Sequence, residues 1–400
     1  MNQRSLPTYP ALTNKTYGNY GGQGPMAQVT LDAIAQAYRE IQTLGPFGAA
    51  VNEWIDREIT ALREAIAQEL HVNPDTIALT ENVTDGCNIA LWGLHWQSGD
   101  RILMSDSEHP GVIAIIQELG HRFGVETDIY NIQDLERDED AGDRIAAGLT
   151  PRTKLVLLSH IAWNTGAVLP LSAIVESCHQ NGTLVLVDAA QSVGMLPLSL
   201  TEIGVDFYAF TGHKWLCGPN GVGGLYINPE LSSNTSNIRL RPTFMGWRSI
   251  KITGAGQPAG YETTAKQYEV ATSAYPLYVG LRTAIEQHQA WGTAEERYLR
   301  ICYFSDRTWT QLQAIAGVHC LHPTPPQSGL IAFQVGDRSD SKSLRVRHQL
   351  IVNRLEQEHQ ILTRTLLNPS CIRVCWHYLS TEKDGDRFID ALEKILSSLG

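Results

Sequence analysis

The sequence predicts an α/β fold: a large domain built on a mostly parallel sheet covered by helices, followed by a smaller α+β C-terminal domain. Two observations predict it. Between about residues 77 and 227, short apolar runs alternate with amphipathic segments, the pattern of repeated βα units. After Arg241 that alternation stops, and a long helical stretch leads into short strands and helices. A chain of 400 residues is long enough for two or three domains.

Residues 1–25 are rich in Tyr, Gly and Pro and are expected to be irregular. From 28 to 70 apolar positions recur at helical spacing, with a break at Gly45-Pro46. Strands are expected at 77–79, 101–104, 155–159, 184–188, 207–210 and 224–227, with helices at 85–94, 111–123 and 171–181. The charge-rich segment 131–144 reads as a solvated loop. Beyond it come a helical stretch from about 274 to 314, strands at 330–335 and 371–376, and helices at 344–358 and 384–399. The expected division is an N-terminal segment 1–25, a large domain 26–245 and a small domain 246–400.

The formal charge of −11 argues against nucleic acid or an anionic membrane as partner, since both need a basic face. A small anionic substrate is compatible with it, because one local arginine holds such a group. No apolar run approaches the roughly 18 residues of a membrane span, and the first twenty residues lack the apolar core of a signal peptide. The seven cysteines are odd in number, scattered and free of CxxC pairs, so neither a disulfide framework nor a metal site is expected. The expectation is a reduced, cytoplasmic protein.

The most informative stretch runs from Thr183 to Gly224. An apolar run ends in Asp188, and a second ends in Thr211-Gly212-His213-Lys214. In open α/β sheets ligands bind outside the carboxyl ends of strands. Each piece alone has an ordinary explanation: a strand-end aspartate is usually a cap or turn residue, and a lysine after a strand is usually solvated. Together they match pyridoxal phosphate (PLP), which needs a lysine for its Schiff base, an acid beside the pyridine nitrogen, and an anion site for its phosphate. Lys214 and Asp188 meet the first two needs. The amides of Val83 and Thr84, opening the helix after the strand at 77–79, meet the third. The Thr84 and Thr211 hydroxyls and the His213 ring are further donors. The glycines of G-P-N-G-V-G-G at 218–224 fit neither GxGxxG nor a P-loop, and they read as a tight turn into the next strand.

With these residues in view, the chain resembles the class V aminotransferase (NifS-like) family of fold-type-I PLP enzymes. The matches are V-D-A-A-Q-S at 187–192, F-Y-A-F-T-G-H-K at 207–214, E-N-V-T-D-G-C-N at 81–88, E-H-P at 108–110, Y-E-V-A-T at 268–272 and R-V-C-W-H-Y-L-S-T at 373–381. The resemblance implies that Lys214 forms the Schiff base, that Asp188 pairs with the pyridinium, and that Gln191 bonds the ring hydroxyl. It implies that His109 stacks on the ring and that Thr84, Thr211 and His213 hold the phosphate. Thr272 matches a residue that reaches the phosphate of the neighbouring subunit, which implies a homodimer. Arg373 would bind the substrate α-carboxylate with its planar fork. The family often has H-V-S-N where this chain has His160-Ile161-Ala162-Trp163-Asn164, so Asn164, expected to contact substrate, stands one position away.

Desulfurases of this family carry a nucleophilic cysteine on a loop upstream of the carboxylate-binding arginine. Here Arg364-Thr365 matches the start of that loop, but Leu366-Leu367-Asn368-Pro369-Ser370 then runs straight into the last strand and holds no cysteine. Sulfur must then leave by another route, and β-elimination from cystine or cysteine fits: pyruvate, ammonia and a persulfide or sulfide would form, the sulfur being available to an iron–sulfur acceptor protein. A desulfurase forming alanine, an epimerase and an aminotransferase remain alternatives on the same scaffold.

Overall fold

The computed structural model describes residues 8–133, 135, 137–232, 239–336 and 340–399. Its main sheet has seven strands: β1 (Ile77–Thr80), β2 (Arg101–Ser105), β3 (Glu126–Tyr130), β4 (Thr153–Ser159), β5 (Leu184–Asp188), β6 (Phe207–Thr211) and β7 (Gly223–Ile227). Their spatial order is β1-β7-β6-β5-β4-β2-β3. The strands from β3 across to β6 are parallel; β7 runs antiparallel to both β6 and β1. Leu155–Leu158 of β4 and Leu184–Val187 of β5 are continuous apolar runs because both faces of a helix-covered parallel sheet are buried. Chain order reverses direction around β2, which has β3 on one side and β4 on the other. That is a topological switch point, where carboxyl ends open a crevice.

The longer helices are α1 (Gln28–Leu44), α2 (Ala49–Leu70), α3 (Val83–Gly93), α4 (Pro110–Phe123), α5 (Asp140–Gly148), α6 (Leu171–Gln180), α7 (Tyr275–Trp291), α8 (Ala294–Gln313), α9 (Ser341–His359) and α10 (Glu382–Leu399). The structure departs from expectation at several places. Edge strand β3 is absent from the sequence reading because Glu-Thr-Asp-Ile-Tyr shows no apolar run; its acids instead pair with Arg101 of β2. The segment read as a solvated loop enters α5, whose Ala141 and Ile145 are buried; Asp134 and Glu136 lie outside the described residues. The helical stretch expected from 274 to 314 is two helices. Thr293 starts the second with a reciprocal capping box to Glu296, a signal readable as T-x-x-E.

A second sheet contains β8 (Val318–Cys320), β9 (Leu330–Val335), β10 (Arg364–Leu367) and β11 (Ser370–Cys375), all antiparallel, in the order β8-β9-β11-β10. Alternation along the strands sends Ile331, Phe333, Ile372 and Val374 into a core with Ile351, Leu355, Phe388 and Leu392 of the covering helices. The opposite face carries Cys371, Arg373 and Cys375 on β11, with Ala332 and Arg364 paired beside Arg373. The N-terminal segment is more regular than its composition predicts: Thr16–Tyr17 pair with Ile361–Leu362, and Asn19 bridges to Cys375.

Candidate active site

Asp188 is the last residue of β5, and its Oδ1 accepts the Ala190 N–H at 3.0 Å. No other protein donor is bonded to its carboxylate among the described residues. β6 ends one strand away at Thr211, whose hydroxyl lies 2.6 Å from His213 Nδ1. The chain then turns through Lys214, whose amine has no hydrogen-bond or ion-pair partner among the described residues. Burial lowers the Lys214 amine to about 8, opposed by the Asp188 charge and reinforced by Arg373 and Arg364. Burial, with Lys214 nearby, holds the His213 imidazole down at about 4.

β1 delivers the N-terminus of α3 to the same place. Asn82 caps that helix by accepting the Asp85 N–H at 3.0 Å, so Val83 and Thr84 open it as expected. A Cβ on Gly223 would lie 3.1 Å from the Asn82 Cα and 3.2 Å from the Thr211 Cα, so the helix cap and the end of β6 both close on the Gly223 backbone. Thr84 Oγ1 and His109 Nδ1 both approach Gly111, at 3.9 and 3.2 Å from its Cβ position. Thr272 is exposed in the single chain and lines a cleft with Asn82, Asp85 and Gly221. Its segment is anchored by Glu269, which pairs with Arg63 and Arg248 and accepts the Leu79 N–H at 3.0 Å.

His109 caps α4, its Nδ1 accepting the Gly111 N–H at 3.2 Å. Burial lowers its pKa; the charges of Asp188, Lys214 and Arg364 all reach it. Its ring meets Trp163 edge-on at 5.9 Å. Gln191 is buried, its Oε1 accepting Trp215 Nε1–H at 2.8 Å and its Nε2 donating to the Gly21 carbonyl at 3.0 Å, which leaves one amide N–H.

Arg373 projects from β11 and is 1% exposed. Its Nη1 donates to the Trp163 carbonyl at 2.8 Å, while Nε and Nη2 have no partner among the described residues. A Cβ on Gly21 would stand 3.0 Å from Nη2, so only glycine leaves that edge of the guanidinium clear. Asn164 donates to Ser107 Oγ and to the Asn368 carbonyl, with its Oδ1 unpaired among the described residues.

Three residues here escaped the sequence reading. Glu108 is buried against Ser105 and Ser159, accepting the Ser159 hydroxyl at 2.8 Å and amide at 3.1 Å; burial raises its carboxyl to about 7. Its signal was the E-H-P motif, read only for its histidine. Trp163 buries an unpaired indole N–H between His109 and Arg373. Arg364 lies directly opposite Arg373 on the same face, a register that spacing alone does not show. The buried Cys217, His288 and His377 offer ligand atoms within 4.8 Å of one another; both histidine Nε2 atoms already bond backbone carbonyls.

The family model for class-V aminotransferases matches residues 21–388. A structure of the cystine C–S lyase C-DES with its reaction product cysteine persulfide superposes with a TM-score of 0.90 at 46% identity, covering 96% of this chain and 99% of that one. Another structure of that lyase, a mutant, carries glycine covalently linked to its PLP cofactor. A probable cysteine desulfurase 2 of Mycobacterium leprae is 32% identical over 307 residues, 71% of this chain and 70% of its own. The isopenicillin N epimerase of Streptomyces clavuligerus is 26% identical over 392 residues, 94% of each chain. The chain therefore belongs to the class-V aminotransferase family, fold-type-I enzymes that use pyridoxal phosphate.

Proposed function

We propose that this enzyme cleaves the Cβ–S bond of cystine or cysteine by β-elimination. The observation that carries the reading is the β10–β11 hairpin. Leu367 pairs with Ser370, so only Asn368 and Pro369 connect the strands, and neither bears a thiol. The nearest cysteines, Cys371 and Cys375, are 0% exposed on the strand itself, and burial pushes the Cys371 thiol up to about 12. With no exposed thiol on this hairpin to accept sulfur, sulfur departs with its own electron pair in this reading. The similarity to the cystine C–S lyase supports the same reading.

The residues present fit the cofactor. An unpartnered amine, a strand-end carboxylate and the start of α3 converge at the carboxyl ends of the sheet. Lys214 would hold the cofactor covalently, Asp188 would keep a proton on its pyridine nitrogen, and His109 would cover the ring. The remaining Gln191 N–H would donate to the ring oxygen. Val83, Thr84, Thr211 and His213 would bind the phosphate. When bound, PLP supplies the electron sink that takes up the Cα electron pair.

The chain's own groups do the rest. The two free nitrogens of Arg373 receive the α-carboxylate, with Asn164 beside them on the substrate side. Lys214 takes the Cα proton. An amine near 8 is neutral in roughly a tenth of molecules at pH 7, against roughly one in a few thousand at an ordinary lysine pKa. Cystine with one water gives pyruvate, ammonia and cysteine persulfide; the persulfide is a better leaving group than the hydrosulfide expelled from cysteine. Arg364 favours cystine as the substrate. It lies opposite Arg373 with no ion-pair partner among the described residues, and a second carboxylate would satisfy both cations.

The homodimer belongs to this proposal. Phe244 and Trp247 are exposed in the single chain near the Thr272 cleft, an apolar surface suited to a second copy. Among the described residues no helix is long and apolar enough to cross a membrane. Cytoplasmic placement, and delivery of the released sulfur to an iron–sulfur acceptor, are proposed on the same basis.

Product analysis tests the reaction. Incubation with L-cystine is expected to release pyruvate and ammonia in equal amounts, and Cys371→Ser and Cys375→Ser variants should do the same. Alanine as the product, lost in either serine variant, would establish a desulfurase instead. Racemised substrate with no pyruvate would favour the epimerase activity named for the Streptomyces relative.

A further inference from the structure

Four consecutive carbonyls, from His213 to Leu216, all accept hydrogen bonds, three of them from sequence-distant parts of the chain. His213 O accepts from the Gly24 amide at 2.7 Å, and Lys214 O from the Cys217 amide at 3.0 Å. Trp215 O accepts from His377 Nε2 at 3.0 Å, and Leu216 O from His288 Nε2 at 2.9 Å. The last two donors are buried imidazoles. Burial lowers both pKa values, His377 to about 3, so each ring stays neutral with a single N–H. Since Nε2 must donate to a carbonyl, that N–H sits on Nε2.

Trp215 is held on every side. Its indole N–H bonds Gln191, and its ring stacks with Tyr20 at 6.1 Å and with His377 at 5.9 Å. Tyr20 in turn lies over the His377 ring at 4.6 Å and 8°. A Cβ on Gly329, beside β9, would come within 2.6 Å of the indole, so the second sheet packs hard against this tryptophan.

We infer that His377 is a positioning residue that ties the Lys214 turn to the strand carrying Arg373. His377 lies four residues beyond Arg373, and at about 3.3 Å per residue the two functions sit roughly 13 Å apart on one extended segment. Between them the segment is braced at Cys375 by the Gly18 carbonyl and at Trp376 by the Gly329 carbonyl. Recognition of the substrate carboxylate and placement of the lysine are thereby referred to one braced segment that starts in β11 and ends two residues past it. A base displaced by about an ångström loses much of its rate, so the expected effect falls on turnover, not on binding. This inference rests on the reading of Lys214 as the cofactor lysine.

The test compares His377→Gln with His377→Asn in the holoenzyme. Glutamine places an N–H where Nε2 stood and can still reach the Trp215 carbonyl; asparagine is too short. His377→Gln should keep kcat within threefold of wild type, while His377→Asn should lose roughly tenfold or more with KM for cystine within threefold. Borohydride trapping gives a readout besides activity: the fraction of chains with cofactor fixed on Lys214 should fall in the asparagine variant at equal cofactor content. Equal kcat and equal trapping in the two variants would overturn the inference. So would a loss confined to KM. An asparagine variant that does not fold beside an active glutamine variant supports the clamp, whereas two variants that both fail to fold overturn a specific role for the donor. Cofactor fixed on a lysine other than Lys214 would overturn the underlying assignment instead. The product need not be pyruvate for the comparison to be read.

Discussion

Lys214→Ala is expected to lower kcat with L-cystine by about 10⁴-fold, the upper range for loss of a general base, and to abolish the visible absorbance of lysine-linked cofactor. The variant should still fold. Lys214 forms no hydrogen bond or ion pair among the described residues, so its removal strands no partner. The cofactor-free variant should even gain stability relative to cofactor-free wild type, and the pH dependence follows from the depressed amine. Between about pH 8 and the unfolded-state value near 10.4, the unfolded chain binds a proton at Lys214 that the folded chain does not, so wild-type stability rises with pH there. Below pH 8 wild type bears the full cost of a charged, desolvated amine, on the order of 1–3 kcal/mol. The stability gap between variant and wild type, read from chemical denaturation, should therefore be widest below pH 8 and close by about 1–3 kcal/mol towards pH 10.5. A gap that does not change with pH would mean that Lys214 is solvated. Retained turnover would remove it from the chemistry altogether.

Much of this was legible in the sequence because the central strands are apolar on both faces and end in polar residues. A run such as Leu-Val-Leu-Val-Asp reads as a buried strand without any tertiary information, and the Asp marks its carboxyl end. Thr-Gly-His-Lys after the next strand reads the same way. The helix start at Val83 was legible because Asn82 follows a strand and precedes a helical period. The fold class and the cofactor follow from these few positions.

What was not legible has physical reasons of its own. β3 is held by ion pairs on a solvated edge, so its residues carry no hydrophobic period. Thr293 breaks the long helix through a capping box inside a sequence that otherwise keeps helical propensity. Arg364 looked like the remnant of a loop motif. Only the antiparallel register places it opposite Arg373. His377 sits in a matched motif, but its role depends on a carbonyl 162 residues away in sequence. Edge ion pairs, caps and hydrogen bonds between sequence-distant residues are long-range or local-override effects, and periodicity carries neither.

The paired arginines yield the second large effect, because the two should divide the substrate between them. Arg373 is buried with one edge unpaired, so Arg373→Lys replaces a bidentate fork with a point charge in a site that excludes water. It is expected to lower kcat/KM for both cystine and cysteine by about 100-fold, roughly 3 kcal/mol of carboxylate recognition. Arg364 is exposed in the single chain, and its pKa is lowered first by desolvation and then by Arg373. Its interaction with a distal carboxylate is partly solvated and correspondingly weaker. Arg364→Gln should raise KM for cystine by about tenfold and leave cysteine within about twofold, since cysteine has no second carboxylate to lose. The ratio of the two substrates, more than either rate, is the informative number. If Arg364→Gln penalises cystine and cysteine alike, Arg364 acts on the shared α-carboxylate or through Lys214, and the preference for a two-carboxylate substrate loses its support. If the variant changes neither, the like-charged pair serves some anion other than the substrate. Selective loss of cystine, with Arg373→Lys losing both, would assign one carboxylate to each guanidinium and make the register of β10 against β11 the determinant of substrate choice.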